Sequence, residues 1–167
     1  NSKSSLSSKL ENFTKYVRRQ NLSKFLVRHE LFKLQSNIKG SIIECGVHEG
    51  GGLMTWAHLS AIMEPHNYSR KVIGFDTFKG FPGLSSKDLK NFQKKGYFKE
   101  NYDTYSDIKS SIKLYDSNRS LNHVEKVILV KGNAEKTIPQ FLKNNKHLLI
   151  SLIWLDFDIY KPTSVAL

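Results

Sequence analysis

Four short apolar runs, at residues 41–47, 71–78, 124–131 and 148–158, constrain this chain more than any other feature. Helical stretches over 53–63, 105–115 and 137–144 separate them. A strand that is apolar on both faces is buried on both faces, and strands alternating with helices have crossovers long enough to run parallel. The fold class predicted is therefore α/β: a doubly wound, Rossmann-like parallel sheet that breaks off after its fourth strand. Pro139 is compatible with the third helix if it lies in the first turn.

Two segments stand outside this rhythm. Residues 1–40 read as a helical segment, in which Leu22, Phe25, Leu26, His29 and Phe32 recur at steps of three and four. That spacing predicts an amphipathic helix with this face on the core and Gly40 at its end. The remainder, 41–167, reads as one α/β domain. Within it, residues 79–104 form a long stretch mixing Gly80, Pro82 and Gly83 with lysines and the aromatics Phe81, Phe92, Tyr97, Phe98 and Tyr102. Such a stretch in a compact domain is a lid or an insertion.

Composition narrows the function classes. The formal charge of +11 divides into +7 on residues 1–40 and +4 on residues 79–113, while 41–78 carry −2 and 114–167 carry +2. The basic excess thus avoids the motif-rich middle of the chain, and no nucleic-acid motif accompanies it, which argues against a nucleic-acid partner. The single Cys45 excludes an intrachain disulfide and fits a reducing, cytoplasmic setting. The start does not resemble a signal peptide, and no run approaches the roughly 18 apolar residues of a membrane span. A homo-oligomer is compatible with all of this.

Chemistry-bearing residues gather where the strands end. After the first comes Glu44-Cys45-Gly46-Val47-His48-Glu49-Gly50-Gly51-Gly52. Glycine allows close backbone approach, and a helix N-terminus offers unpaired N–H groups to an anion. The residues match neither Gly-x-Gly-x-x-Gly nor a P-loop. An acid-x-glycine opening suits a ligand with an ammonium or hydroxyls near the strand and a carboxylate near the helix, as in S-adenosylmethionine; a tight turn that merely needs glycine is the plain alternative. After the second strand, Asp76-Thr77-Phe78 places a carboxylate where doubly wound folds meet a ribose, unless it only caps the turn. After the third, Gly132-Asn133-Ala134 can face an adenine edge or simply cap a helix. After the fourth, Asp156 and Asp158 stand two apart and converge if the strand continues through them. Two such carboxylates repel unless a cation or proton lies between them, and their oxygens suit Mg2+ or a similar divalent ion. One of them can instead act as a general base on a hydroxyl. An Asp-x-Asp also occurs in metal-dependent glycosyltransferases, so the pair alone does not select a reaction.

Together, Ile43 to Val47 with Gly50 to Gly52, Gly74-Phe75-Asp76-Thr77-Phe78-Lys79-Gly80-Phe81-Pro82, and Leu155-Asp156-Phe157-Asp158-Ile159-Tyr160-Lys161-Pro162-Thr163 resemble the macrocin O-methyltransferase (TylF/MycF/NovP-like) family over roughly residues 30–167. The resemblance implies an S-adenosylmethionine-dependent, divalent-metal-assisted O-methyltransferase acting on a hydroxyl of a sugar or glycosylated small molecule. By motif it implies cofactor contacts at Glu44, Gly46 and Asp76, a metal ligand at Asp156 and a catalytic base at Asp158; the expected cofactor site adds Val47, Gly50, Gly51, Thr77, Phe78, Gly132, Asn133, Ala134 and Asp156 beside them. It also implies a later strand ending in an acidic pair, so the chain is expected to be the front part of a larger domain and to be inactive alone.

Overall fold

The computed structural model describes residues 2–88 and 98–167. In chain order its elements are α1 (Leu6–Glu11), a 3-10 turn (Phe13–Lys15), α2 (Arg19–Gln35), β1 (Ser41–Cys45), α3 (Gly51–Met63), β2 (Val72–Asp76), α4 (Thr104–Ser117), β3 (Val127–Lys131), α5 (Ala134–Asn144), β4 (Ile150–Leu155) and α6 (Tyr160–Ala166). The four strands form one parallel sheet in the order β3-β2-β1-β4. The chain winds outward from β1 in one direction, then crosses back to lay β4 on the other side. The carboxyl ends of β1 and β4 flank the switch point, where α/β sheets place their ligands.

Alternation along β1 explains the two layers. Ile42 packs with Phe32, Leu53, Trp56, Ile108 and Tyr115 from α2, α3 and α4. Its neighbour Ile43 packs on the opposite face with Cys45, Ile73, Phe75, Ala134 and Ile138, against α5 and α6. Each large apolar side chain so enclosed contributes about 1.5–3 kcal/mol. β4 is less protected: Ile150 is 40% and Ile153 45% exposed, and no strand pairs with its outer edge among the described residues.

Several local readings shift. α5 begins at Ala134, where the Asn133 side chain accepts the Glu135 amide at 3.1 Å. Pro139 therefore lies in the second turn instead of the first, and the helix forgoes the bond to the Glu135 carbonyl. α2 ends at Gln35, five residues before Gly40. Its buried face is not the apolar one: Arg28, Phe32 and Gln35 are buried, while Phe25 and Leu26 are exposed. Arg28 and Gln35 can turn inward because each meets a buried polar partner.

Gln35's partner is Arg70, just before β2, whose guanidinium is 2% exposed. It donates to Glu64 Oε1 at 2.6 Å, Gln35 Oε1 at 2.6 Å, Ser151 Oγ at 2.7 Å and the carbonyls of Gly40, Ser36 and Ile38 at 2.8, 3.2 and 3.0 Å. This hub ties α2, α3, β1 and β4 together at the end of the sheet away from the switch point.

Candidate functional site

The carboxyl ends of all four strands open into one cavity of about 470 Å³, a size suited to a small molecule. Gly46, Asp76, Thr77, Phe78, Gly132, Asn133, Ala134, Asp156 and Asp158 all line it. The remaining residues of the expected set lie elsewhere. Val47 is buried in the core, and Gly50 and Gly51 lie outside the lining. Glu44, 2% exposed, is turned toward Arg28.

Short-range geometry shapes the floor. Gly46 has φ +97°, and a Cβ there would stand 2.2 Å from the Asp156 carbonyl oxygen, so only glycine lets the ends of β1 and β4 approach this closely. The Asp156 amide continues the ladder by donating to the Cys45 carbonyl at 2.8 Å. Asp76 accepts from the Val47 and His48 amides through Oδ2 and from the Phe78 amide through Oδ1, each at 2.8 Å. Its carboxylate thus clamps the glycine loop to the end of β2. Two oxygens offer about four acceptor positions, so roughly one remains for a ligand hydroxyl.

Asp156 and Asp158 meet by a different route from strand alternation. β4 ends at Leu155, and Asp158 takes φ +59°, a left-handed conformation that aspartate tolerates better than most residues. Among the described residues, His48, Phe78, Phe98 and Asp158, four of the five non-glycine residues with positive φ, line the cavity. Such strain costs of order 1–3 kcal/mol per residue and clusters at functional sites. Burial, then the neighbouring Asp156, push the Asp158 carboxyl above its ordinary range, while His48 opposes them.

The described parts of residues 79–104 roof the cavity through Gly80, Phe81, Pro82, Phe98, Glu100 and Thr104; Phe92 and Tyr97 lie outside the described residues. Phe98 packs edge-on against His48 and Phe81, with ring centroids 5.6 and 5.5 Å away. His48 Nε2 lies 3.2 Å from Glu100 Oε1, and Tyr102 Oη donates to Glu49 Oε1 at 3.1 Å. On the far side, Lys87 Nζ donates to Tyr160 Oη at 2.8 Å, and Asp88 accepts the Tyr160 amide at 2.6 Å.

This geometry coincides with a family assignment. The family model for macrocin-O-methyltransferase (TylF) matches residues 16–167. The chain belongs to that family. A crystal structure of CalS11, described as a calicheamicin methyltransferase, superposes with a TM-score of 0.93 at 29% identity, covering 99% of this chain and 65% of that one. An apo structure of CalS11, described as TDP-rhamnose 3'-O-methyltransferase, an enzyme in calicheamicin biosynthesis, gives a TM-score of 0.81 at 26% identity over 99% of this chain and 64% of that one. This TylF-family chain therefore spans just under two thirds of the two CalS11 chains. No match is found among curated protein sequences.

The motifs did not point to three parts of the site. Lys24 of α2 reaches the cavity, one helical turn from Arg28; the apolar spacing of Leu22, Phe25 and Leu26 concealed that basic face. Glu100 and Phe98 sit in the stretch expected to be a lid or an insertion. His48, within the glycine-rich run, joins that stretch to the glycine loop.

Proposed function

We propose that this chain is the cofactor-binding part of an S-adenosylmethionine-dependent O-methyltransferase acting on a hydroxyl of a sugar or glycosylated small molecule. The observation that carries the reading is the single cavity that gathers Gly46, Asp76, Asn133 and the Asp156–Asp158 pair at the switch point of a TylF-family sheet. The family favours methyl transfer over sugar transfer as the use of the Asp-x-Asp, and the CalS11 description favours a sugar as acceptor. The lone, buried Cys45 favours a reducing compartment such as the cytoplasm.

The donor set fits the cofactor. The free acceptor position on Asp76 suits a ribose hydroxyl, the amides after Gly132 suit an adenine edge, and the acidic lining suits a cationic sulfonium. When bound, the cofactor supplies an electrophilic methyl group. Asp158, its carboxyl raised above the ordinary range, is suited to take the proton from an acceptor hydroxyl as general base. Phe81, Pro82, Phe98 and Phe157 line the same cavity and give that transfer apolar surroundings. Holding acceptor and methyl donor at contact distance provides most of the remaining acceleration.

The fit to a divalent metal is incomplete. Asp156 offers one hard oxygen ligand beside Asp158, but no group of three His, Cys, Asp or Glu residues able to hold a metal ion exists among the described residues. No step above depends on a metal.

Calorimetry of the purified protein tests the reading. S-adenosylmethionine binds, and the affinity falls on Asp76→Ala, whether or not a nucleotide sugar binds as acceptor as well. Binding of the nucleotide sugar with indifference to S-adenosylmethionine overturns the assignment.

A further inference from the structure

Behind the cavity wall, a buried polar cluster joins α2 to the acidic end of β4. Glu44 and Trp154 are register partners on β1 and β4, so their side chains emerge on the same face of the sheet. Arg28 comes down onto that face from α2. Its Nη2 is 3.5 Å from Glu44 Oε1, and its guanidinium lies 4.6 Å from the centroid of the Trp154 ring and 5.7 Å from that of Trp56. Trp154, two residues before Asp156, donates a long hydrogen bond from Nε1 to Asp156 Oδ2 at 3.4 Å. At Gly52 a Cβ would stand 2.2 Å from Glu44 Oε1 and 2.4 Å from Arg28 Nη2, so the first turn of α3 makes room for the pair.

This cluster is a poor device for stability. The ion pair is stretched and desolvated, and Arg28 Nε is buried without a hydrogen-bond partner among the described residues. Apolar side chains of similar volume would hold this region at least as well. What the cluster supplies is placement: a flat, always charged guanidinium stacked on an indole sets the plane of that ring and the direction of its N–H. We propose that Arg28 is a positioning residue, which holds the Trp154 indole so that its N–H orients the carboxylate of Asp156 at the cavity. The proposal rests on the methyltransferase reading for the reaction Asp156 serves, and on geometry alone for the linkage itself.

The chain's two tryptophans are both in the cluster, so fluorine NMR of fluorotryptophan-labelled protein observes nothing else. Without any ligand, Asp156→Asn shifts the Trp154 resonance when Arg28 is present. In folded Arg28→Met protein the same substitution leaves that resonance in place, because the indole no longer reaches residue 156. Should Arg28→Met fail to fold, Arg28→Lys, which keeps the charge and loses the planar stack, takes its place with the same expectation. A shift of equal size with and without Arg28 overturns the proposal. Under turnover, Arg28→Met lowers kcat roughly 10- to 100-fold with KM for S-adenosylmethionine little changed. The double variant Arg28→Met/Asp156→Asn is then no slower than Asp156→Asn alone; additive losses also overturn the proposal. If S-adenosylmethionine does not bind, the methyltransferase reading fails, while the resonance shifts still decide the linkage.

Discussion

Removing the Asp76 carboxylate tests whether the cavity is built before a ligand arrives. Asp76→Ala deletes three hydrogen bonds of 2.8 Å, two from the glycine loop and one from the turn after β2. Bonds from amides to a charged acceptor contribute about 1.5–3 kcal/mol each. The side chain is only half-buried and water can reach part of the vacated space, so the net cost to the ligand-free protein is about 2–4 kcal/mol. With an unfolding entropy of roughly 2 cal/mol/K per residue, that lowers the melting temperature by roughly 6–11 °C. S-adenosylmethionine affinity also falls, roughly ten- to a hundredfold, through the ribose contact and the loosened loop. Asp76→Asn, which keeps one oxygen but points an NH2 group at amide donors, gives an intermediate loss. Calorimetric melting without ligand, followed by titration with S-adenosylmethionine, separates the two effects. A melting temperature within about 2 °C of the parent, with affinity lost, refutes the clamp and leaves Asp76 a ligand contact only.

Other perturbations probe different levels. Arg70→Ala takes the charge partner from Glu64, which keeps only Ser60 Oγ and Asn67 Nδ2 as donors, and leaves Gln35 Oε1 without a donor, so a denaturant melt should show a loss of about 3–5 kcal/mol; a loss below about 1 kcal/mol contradicts the hub. Gly46→Ala meets both a positive φ and the Asp156 carbonyl, so destabilisation of at least about 2 kcal/mol is expected in the same assay. Burial pushes the Glu44 carboxyl up to about 7 despite Arg28 pulling it down, with Asp156 raising it further. The folded protein therefore binds that proton more tightly than the unfolded chain, and stability falls as pH rises from the ordinary value near 4.5 to about 7, by about 3 kcal/mol. Glu44→Gln should lack this slope, so its stability relative to the parent improves between about pH 5 and about pH 8; a constant difference refutes the shift. Asp158→Asn should lower methyl transfer roughly 10²- to 10⁴-fold while leaving S-adenosylmethionine binding intact in calorimetry, and weakened binding would move Asp158 from base to cofactor contact.

Much of the scaffold was legible along the chain because it depends on near neighbours in sequence. A run such as Ser41-Ile42-Ile43-Glu44-Cys45 is β-rich within five residues, and the glycine that ends it is visible in place. Acids and glycines at strand ends marked Gly46, Asp76, Gly132, Asp156 and Asp158, five of the nine expected residues that line the cavity. Where local reasoning failed, as for the start of α5, a side-chain cap at Asn133 set the boundary three residues before the expected one.

The parallel α/β character, the switch-point loops and the family motifs were determined by the sequence itself, since periodicity and turn chemistry act over a few residues. Only the tertiary structure decided how buried polar groups are partnered. Arg28 meets Glu44 across 16 residues, Asp76 meets the His48 amide across 28, and Arg70 meets Gln35 across 35. Hydrophobic patterning places charged residues outside by default, because an unpaired charge is too costly to bury. The cost falls when a distant partner arrives, and that partner is visible only once the chain has folded. For this reason α2 turns Arg28 instead of Phe25 and Leu26 toward the sheet.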